Sequence, residues 1–184
     1  MNYYLLFPNF IPDEGSFTEA EPQVMDFYYP QHKLMSKKAV FNVDKAYAER
    51  DMSDFLKVGL GFLVNSKVQK LFFDNSFSGI QFIPVIVNND KAFDEYSFMN
   101  PIAHYDILDA SASEAEDFSD VIGGYTTVYE EIIDKNKFEI ANIKHDFFTL
   151  SNFKQVFYVS ENVKEALENE GVNGVEFIPM EFSS

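Results

Sequence analysis

The hydrophobic positions of this chain fall into short blocks with two different periods. Tyr3–Phe7 is a continuous apolar run that stops at Pro8, and its length predicts a first strand. Ala39–Val43 predicts another. Asp44–Leu56 is spaced differently: Ala48, Met52, Phe55 and Leu56 share one helical face, with Asp44 as the cap. Glu95–Asn100 and Tyr105–Leu108 are expected as strands near Pro101. Tyr125–Ile133 is rich in β-formers behind a Gly123-Gly124 turn, and Lys135-Asn136 reads as a hairpin turn into a strand over Phe138–Ile143. Residues 8–31 and 110–120 show no period and are expected to be irregular. The second stretch is small, polar and acidic, as a surface loop would be.

One pattern occurs twice. Residues 62–85 read FLVNSKVQKLFFDNSFSGIQFIPV, and residues 157–180 read FYVSENVKEALENEGVNGVEFIPM. Each begins with a short apolar run, Phe62–Val64 or Phe157–Val159, expected to be a strand. Asn65 and Ser160 follow, where a side-chain oxygen can cap a helix N-terminus. Val68, Leu71 and Phe72 share a spacing with Val163, Ala166 and Leu167, which puts each trio on one helical face. Gly171 stands where a left-handed C-terminal residue is wanted. Gly79 and Gly174 precede the strands Ile80–Ile83 and Val175–Ile178 and are expected to turn the chain with positive φ. Pro84 and Pro179 close those strands, because proline offers no ladder donor. The predicted fold class is therefore α+β: one domain over residues 1–184, with two strand–helix–strand repeats packed on a mixed or antiparallel sheet.

Composition narrows the chemistry. The chain has 184 residues, 14 Lys and Arg against 30 Asp and Glu, a formal charge of −16, and no Cys or Trp. Without cysteine there is no disulfide framework, Cys-ligated metal or Cys nucleophile. A grip on nucleic acid phosphates needs a basic face, which −16 with Arg50 as the one arginine does not offer. Anionic membrane surfaces are disfavoured for the same reason. The N-terminus lacks the positive stretch of a signal peptide, its first lysine being Lys33, so a cytoplasmic protein is expected.

The charge is uneven. Residues 94–134 hold eleven acids and no Lys or Arg, so most of the net charge lies in less than a quarter of the chain. Such a block is either a solvated loop or an electrostatic docking face for a basic partner. If it docks, the residues expected to do so are Asp106, Asp109, Glu114, Glu116, Asp117 and Asp120. Tyr28, Tyr29, Tyr96, Tyr105, Tyr125 and Tyr129 are candidate anchors or core, since tyrosine serves both. His32, His104 and His145 match no ligand spacing such as HExxH. A hydrolase or metal-dependent site using His104, Asp106 and Asp109 is the alternative from another class. No nucleophile elbow, P-loop or dinucleotide fingerprint is present. Neither catalytic residues, nor a metal, nor a cofactor are expected.

The order of four segments resembles a known family. LVNSKVQKLF…SGIQFIPV, EYSFMNPIAHYDILDASAS, VYEEIIDKNKF and FYVSENVKEALENEGVNGVEFIP are similar to small bacterial immunity proteins encoded beside polymorphic toxins, a family long filed as a domain of unknown function. The resemblance runs over residues 62–180 and is carried by Leu63–Val85, Tyr96–Ser113 and Phe157–Pro179. Asn65 stands where the family often has serine; both residues cap. The resemblance implies a non-enzymatic protein that protects the producing cell by binding a cognate toxin. It implies no catalytic residues. A monomer or weak homodimer is expected.

Overall fold

The computed structural model describes residues 2–9, 17–19, 39–43, 52–59, 61–88 and 96–183. Its first strands are β1 (Tyr3–Pro8), β2 (Phe17–Glu19), β3 (Val40–Val43), β4 (Phe55–Val58), β5 (Gly61–Val64), β6 (Ile80–Pro84), β7 (Ile86–Asn88) and β8 (Ser97–Pro101). Then come β9 (His104–Tyr105), β10 (Glu116–Ser119), β11 (Gly124–Thr127), β12 (Ile132–Ile133), β13 (Phe147–Leu150), β14 (Phe157–Ser160), β15 (Val175–Pro179) and β16 (Glu181–Phe182). The helices among these residues are α1 (Ser66–Asp74), α2 (Lys135–Ala141) and α3 (Glu161–Asn169). The architecture is α+β.

Two sheets carry the core, and they are built alike. One has the order β4-β5-β8-β6, the other β15-β1-β14-β13 with β9 added beside β13. In the first, Val64 and Pro84 both face Ser97 of β8. In the second, Val159 and Pro179 both face Tyr4 of β1. The strand between the two repeated segments is thus β8 in one half and the N-terminal strand β1 in the other. A helix follows β5 and β14 alike. Asn65 Oδ1 accepts the Val68 N–H at 3.2 Å, and Ser160 Oγ accepts the Val163 N–H at 3.4 Å. Caps of this kind contribute about 1 kcal/mol each. Val68 and Phe72 of α1 and Val163 and Leu167 of α3 are buried in one shared core, each worth about 1.5–3 kcal/mol against exposure.

A pair of carboxylates locks the halves to each other. Asp54, just ahead of β4, accepts from Asn65 Nδ2 at 2.7 Å and from the Asn173 N–H at 3.0 Å. Asp146, just ahead of β13, accepts from Ser160 Oγ at 3.0 Å and from the Ser78 N–H at 2.9 Å. Each therefore joins the cap of its own helix to the turn before the last strand of the other half. The backbone does the same: the Phe55 N–H donates to Asn173 O at 3.1 Å, and the Phe147 N–H to Ser78 O at 3.0 Å. The next residues are Gly79 (φ +92°) and Gly174 (φ +84°), as the turn requirement predicts. A Cβ on Gly79 would run into the Phe147 carbonyl, and one on Gly174 into the Phe55 carbonyl.

The five-stranded sheet is covered on both faces. Phe147, Phe157 and Val159 enter the shared core, while Phe148, Leu150 and Tyr158 enter a second cluster with Ala103, Ile107 and Ile133, as the alternation of a strand demands. That second cluster seats the segment that follows β9. There β12 pairs in parallel with β16, and Phe138 of α2 meets Tyr3 and Phe182 edge-on. A small sheet of β2, β3 and β7 and the two-stranded sheet of β10 and β11 complete the described strands.

Several elements differ from expectation. Phe55 and Leu56, expected on a helix, form β4; residues 44–51 of that expected helix lie outside the described residues. Both side chains are fully buried, and a strand covered on both faces loses the alternation that marks it, so its apolar run imitates helical spacing. Phe138–Ile143, expected as a strand, is largely helix α2, because Asp134 caps it by accepting the Lys137 N–H at 3.0 Å. Residues 116–119 are a strand, β10, and not a loop. Residues 17–19, in the stretch expected to be irregular, are also a strand. Over Tyr105–Leu108 only Tyr105 is in a strand, with Leu108 making a single bridge to Ile133.

Candidate functional site

The acidic segment forms a ledge over the second cluster, and three bonds fix its base. Ser113, fully buried, donates its hydroxyl to Ile132 O and accepts the Ile132 N–H, both at 3.1 Å. The Tyr125 N–H donates to Asn152 O at 2.7 Å. Gly124 lies so close to the Asn152 backbone that a side chain there would collide with it. From this base the hairpin β10–β11 projects, its strands paired antiparallel from Glu116↔Thr127 to Ser119↔Gly124.

The six candidate acids divide into two groups. Asp106 and Asp109 are engaged internally. Asp106 Oδ1 accepts from Asn152 Nδ2 at 3.1 Å and lies 3.6 Å from Lys137 Nζ. The acidic segment thus receives a counter-ion from just outside its own sequence. Asp109 accepts the Ala112 N–H at 3.1 Å. That bond, then the Ser183 hydroxyl, holds its carboxyl below the ordinary value. Both carboxylates shape the ledge. His104 is exposed on β9, and the carboxylates two and five residues beyond it have these other partners.

Glu114, Glu116, Asp117 and Asp120 are the second group. All four are exposed, and none has an ion pair among the described residues. Glu114 (φ +47°) and Asp117 (φ +56°) take left-handed backbone angles, a conformation that non-glycine residues adopt uncommonly. Large apolar side chains stand among them: Val121 at the hairpin tip is 96% exposed, Tyr129 63% and Phe118 54%. Phe118 packs edge-on against Tyr125, 5.1 Å between ring centres.

The other candidate tyrosines have other duties. Tyr96 is buried and donates to Ser53 O at 2.8 Å. Tyr105 is half-buried, its hydroxyl 2.5 Å from His145 Nδ1. Tyr28 and Tyr29, like His32, lie outside the described residues. Among the described residues no group of three or more His, Asp or Glu side chains is placed to hold a metal. No helix there is long and apolar enough to cross a membrane.

Exposed acids interleaved with exposed aromatic and aliphatic side chains, on a hairpin braced from below, make a surface suited to a macromolecule. Comparison with known families then supplies the context. The model of the immunity protein family Imm11 matches residues 8–181. The chain belongs to that family. A search of curated proteins finds no significant match. Imm11 membership points to a non-enzymatic role and implies a toxin as partner. It places no residue at an interface. The sequence missed Phe118 and Val121 as part of this surface, since their exposure follows from the hairpin, and residues 116–119 had been expected as loop.

Proposed function

We propose that the protein neutralises a cognate toxin in the cytoplasm by stoichiometric binding, with the β10–β11 hairpin as its docking face. Glu114, Glu116, Asp117 and Asp120 supply charge for a basic partner. Phe118, Val121 and Tyr129 supply apolar anchors within that charge. Asp106 and Asp109 brace the base. The observation that carries this reading is the coincidence, on one hairpin and its immediate flanks, of four acids without ion pairs among the described residues and three large exposed apolar side chains. Like charges gathered together cost stability by repulsion, and exposed aromatics cost solubility. A partner that is basic around an apolar hollow would relieve both.

The test uses the product of the neighbouring gene as toxin. Neutralising all four acids together (Glu114→Gln, Glu116→Gln, Asp117→Asn, Asp120→Asn) should slow association by about tenfold or more at low salt and flatten its salt dependence. Phe118→Ala should instead speed dissociation, by roughly tenfold or more for an anchoring aromatic. Unchanged association and dissociation in both variants would remove this hairpin from the interface.

A further inference from the structure

The equivalence of the two halves exposes a surface that the fold does not require. On the outer side of α3 and β15 stand Glu165, Glu168, Glu170 and Glu176. The corresponding positions on α1 and β6 are Lys70, Phe73, Asn75 and Gln81. In the acidic half the underlying aromatic ring is covered: Lys164 pairs with Glu168 at 2.7 Å and lies 5.9 Å above the Phe177 ring. In the other half the equivalent ring, Phe82, is tilted against Phe73 at 5.6 Å. Phe73 itself is 69% exposed, and Ile102 nearby 54%. Phe72, Phe73, Phe77, Ile80, Phe82 and Ile102 line a groove of ≈ 630 Å³. The polar groups beside it are already matched: Lys70 pairs with Asp74, and Asn100 Nδ2 donates to Gln81 Oε1 at 3.1 Å.

We propose that this face is where a second copy of the chain binds, by an isologous two-fold contact of α1 and β6 around Phe73. The charge distribution selects that occupant. Two copies at −16 each repel over most of their surface, and here the like charges of the sister face are replaced by a neutral, apolar one. A basic partner, by contrast, finds no acid among the described residues that line the groove. The shape suits a two-fold too: a protruding Phe73 adjoins a groove on the same face, so one operation seats each ring in the other copy's hollow. The contact is confined to one helix and one strand, which makes the dimer weak and transient.

Sedimentation equilibrium of the full chain tests this, from micromolar concentration to about 1 mM, the weak end of specific association. The wild type should gain mass with concentration. It should gain more at about 500 mM salt than at 50 mM, because screening weakens the repulsion between copies. Toxin binding through the acidic hairpin has the opposite salt dependence, which separates the two readings. Phe73→Glu installs the residue that the sister helix carries, and should weaken self-association at least tenfold. Its urea midpoint, measured beside it, should stay at the wild-type value because the side chain is exposed. Ile102→Glu, on the far wall of the groove, should act in the same direction. A wild type that stays monomeric at the highest concentration and salt overturns the proposal. So does a dimer that survives both substitutions, or a Phe73→Glu variant that loses toxin binding while its mass behaviour is unchanged.

Discussion

In the half made of β4, β5, β8 and β6, a carboxylate at position 54 holds the helix cap Asn65 and the Asn173 turn. In the half made of β13, β14, β1 and β15, a carboxylate at 146 holds the cap Ser160 and the Ser78 turn. The agreement extends to the backbone bonds of Phe55 and Phe147 and to the glycine that follows each turn. The halves part company on their outward sides, where Phe73 answers Glu168 and Gln81 answers Glu176. They differ also in what is attached: only the five-stranded sheet carries the acidic ledge on its far face. The comparison separates two kinds of residue. Those shared by both halves are what closure of the sheets demands. Those that differ are free of that demand, and both proposed contact surfaces are made of them.

The severest challenge to this equivalence is at the two glycines. Gly79→Ala and Gly174→Ala each combine a positive φ with a collision against a carbonyl of the other half. Each should lower unfolding stability by more than about 3 kcal/mol in urea titrations. A large loss at one and none at the other would break the comparison. Next come the carboxylates. Asp54→Ala and Asp146→Ala each strand several donors, and each should cost about 2–3 kcal/mol by the same measurement. A double-mutant cycle between Asp146 and Ser78 should show coupling, since they touch directly across the halves.

The smallest effect is at a point of difference. Lys67 Nζ lies 3.3 Å from Asp54 Oδ2, but its side chain is 41% exposed. The matching position in the other half is Asn162, and among the described residues Asp146 has no ion pair. Lys67→Met should therefore cost no more than about 1 kcal/mol. A larger loss would mean that the Asp54 junction depends on its cation, and that the two junctions are less alike than their geometry.

The strands at Tyr3–Phe7, Phe62–Val64 and Phe157–Val159, the caps Asn65 and Ser160, and the turning glycines Gly79 and Gly174 were legible because each rests on local chemistry. Asp54 and Asp146 were not, although the dipeptide Asp-Phe occurs at both 54–55 and 146–147. The connection between β13 and β14 is longer than that between β4 and β5, so these two aspartates fall out of step with the ungapped match at 62–85 and 157–180. Among 30 acids nothing local sets them apart, because their partners are across the fold. The strand β4 was hidden by burial on both faces. Helix α2 was hidden because it buries no residue fully, which leaves a weak period beside a plausible turn at Lys135-Asn136. Of the candidate surface, the acids were legible as a charge block. Which of them are occupied was not: Asn152 and Lys137 reach Asp106 from segments the sequence places elsewhere.

The place of β1 in the five-stranded sheet has a consequence for the order in which the molecule is made. All four strands of the first sheet lie between Phe55 and Pro101, so they become available to one another within one short stretch of synthesis. In the second sheet, Tyr3–Pro8 is made long before Val175–Pro179, yet these two strands pair directly. The apolar segment β1 is thus without its partners on both sides while the long stretch up to β14 and β15 is made, when loop-closure entropy weighs most heavily and exposed strand edges invite association. For a newborn chain the hazardous interval is set by β1, which must wait for β14 and β15.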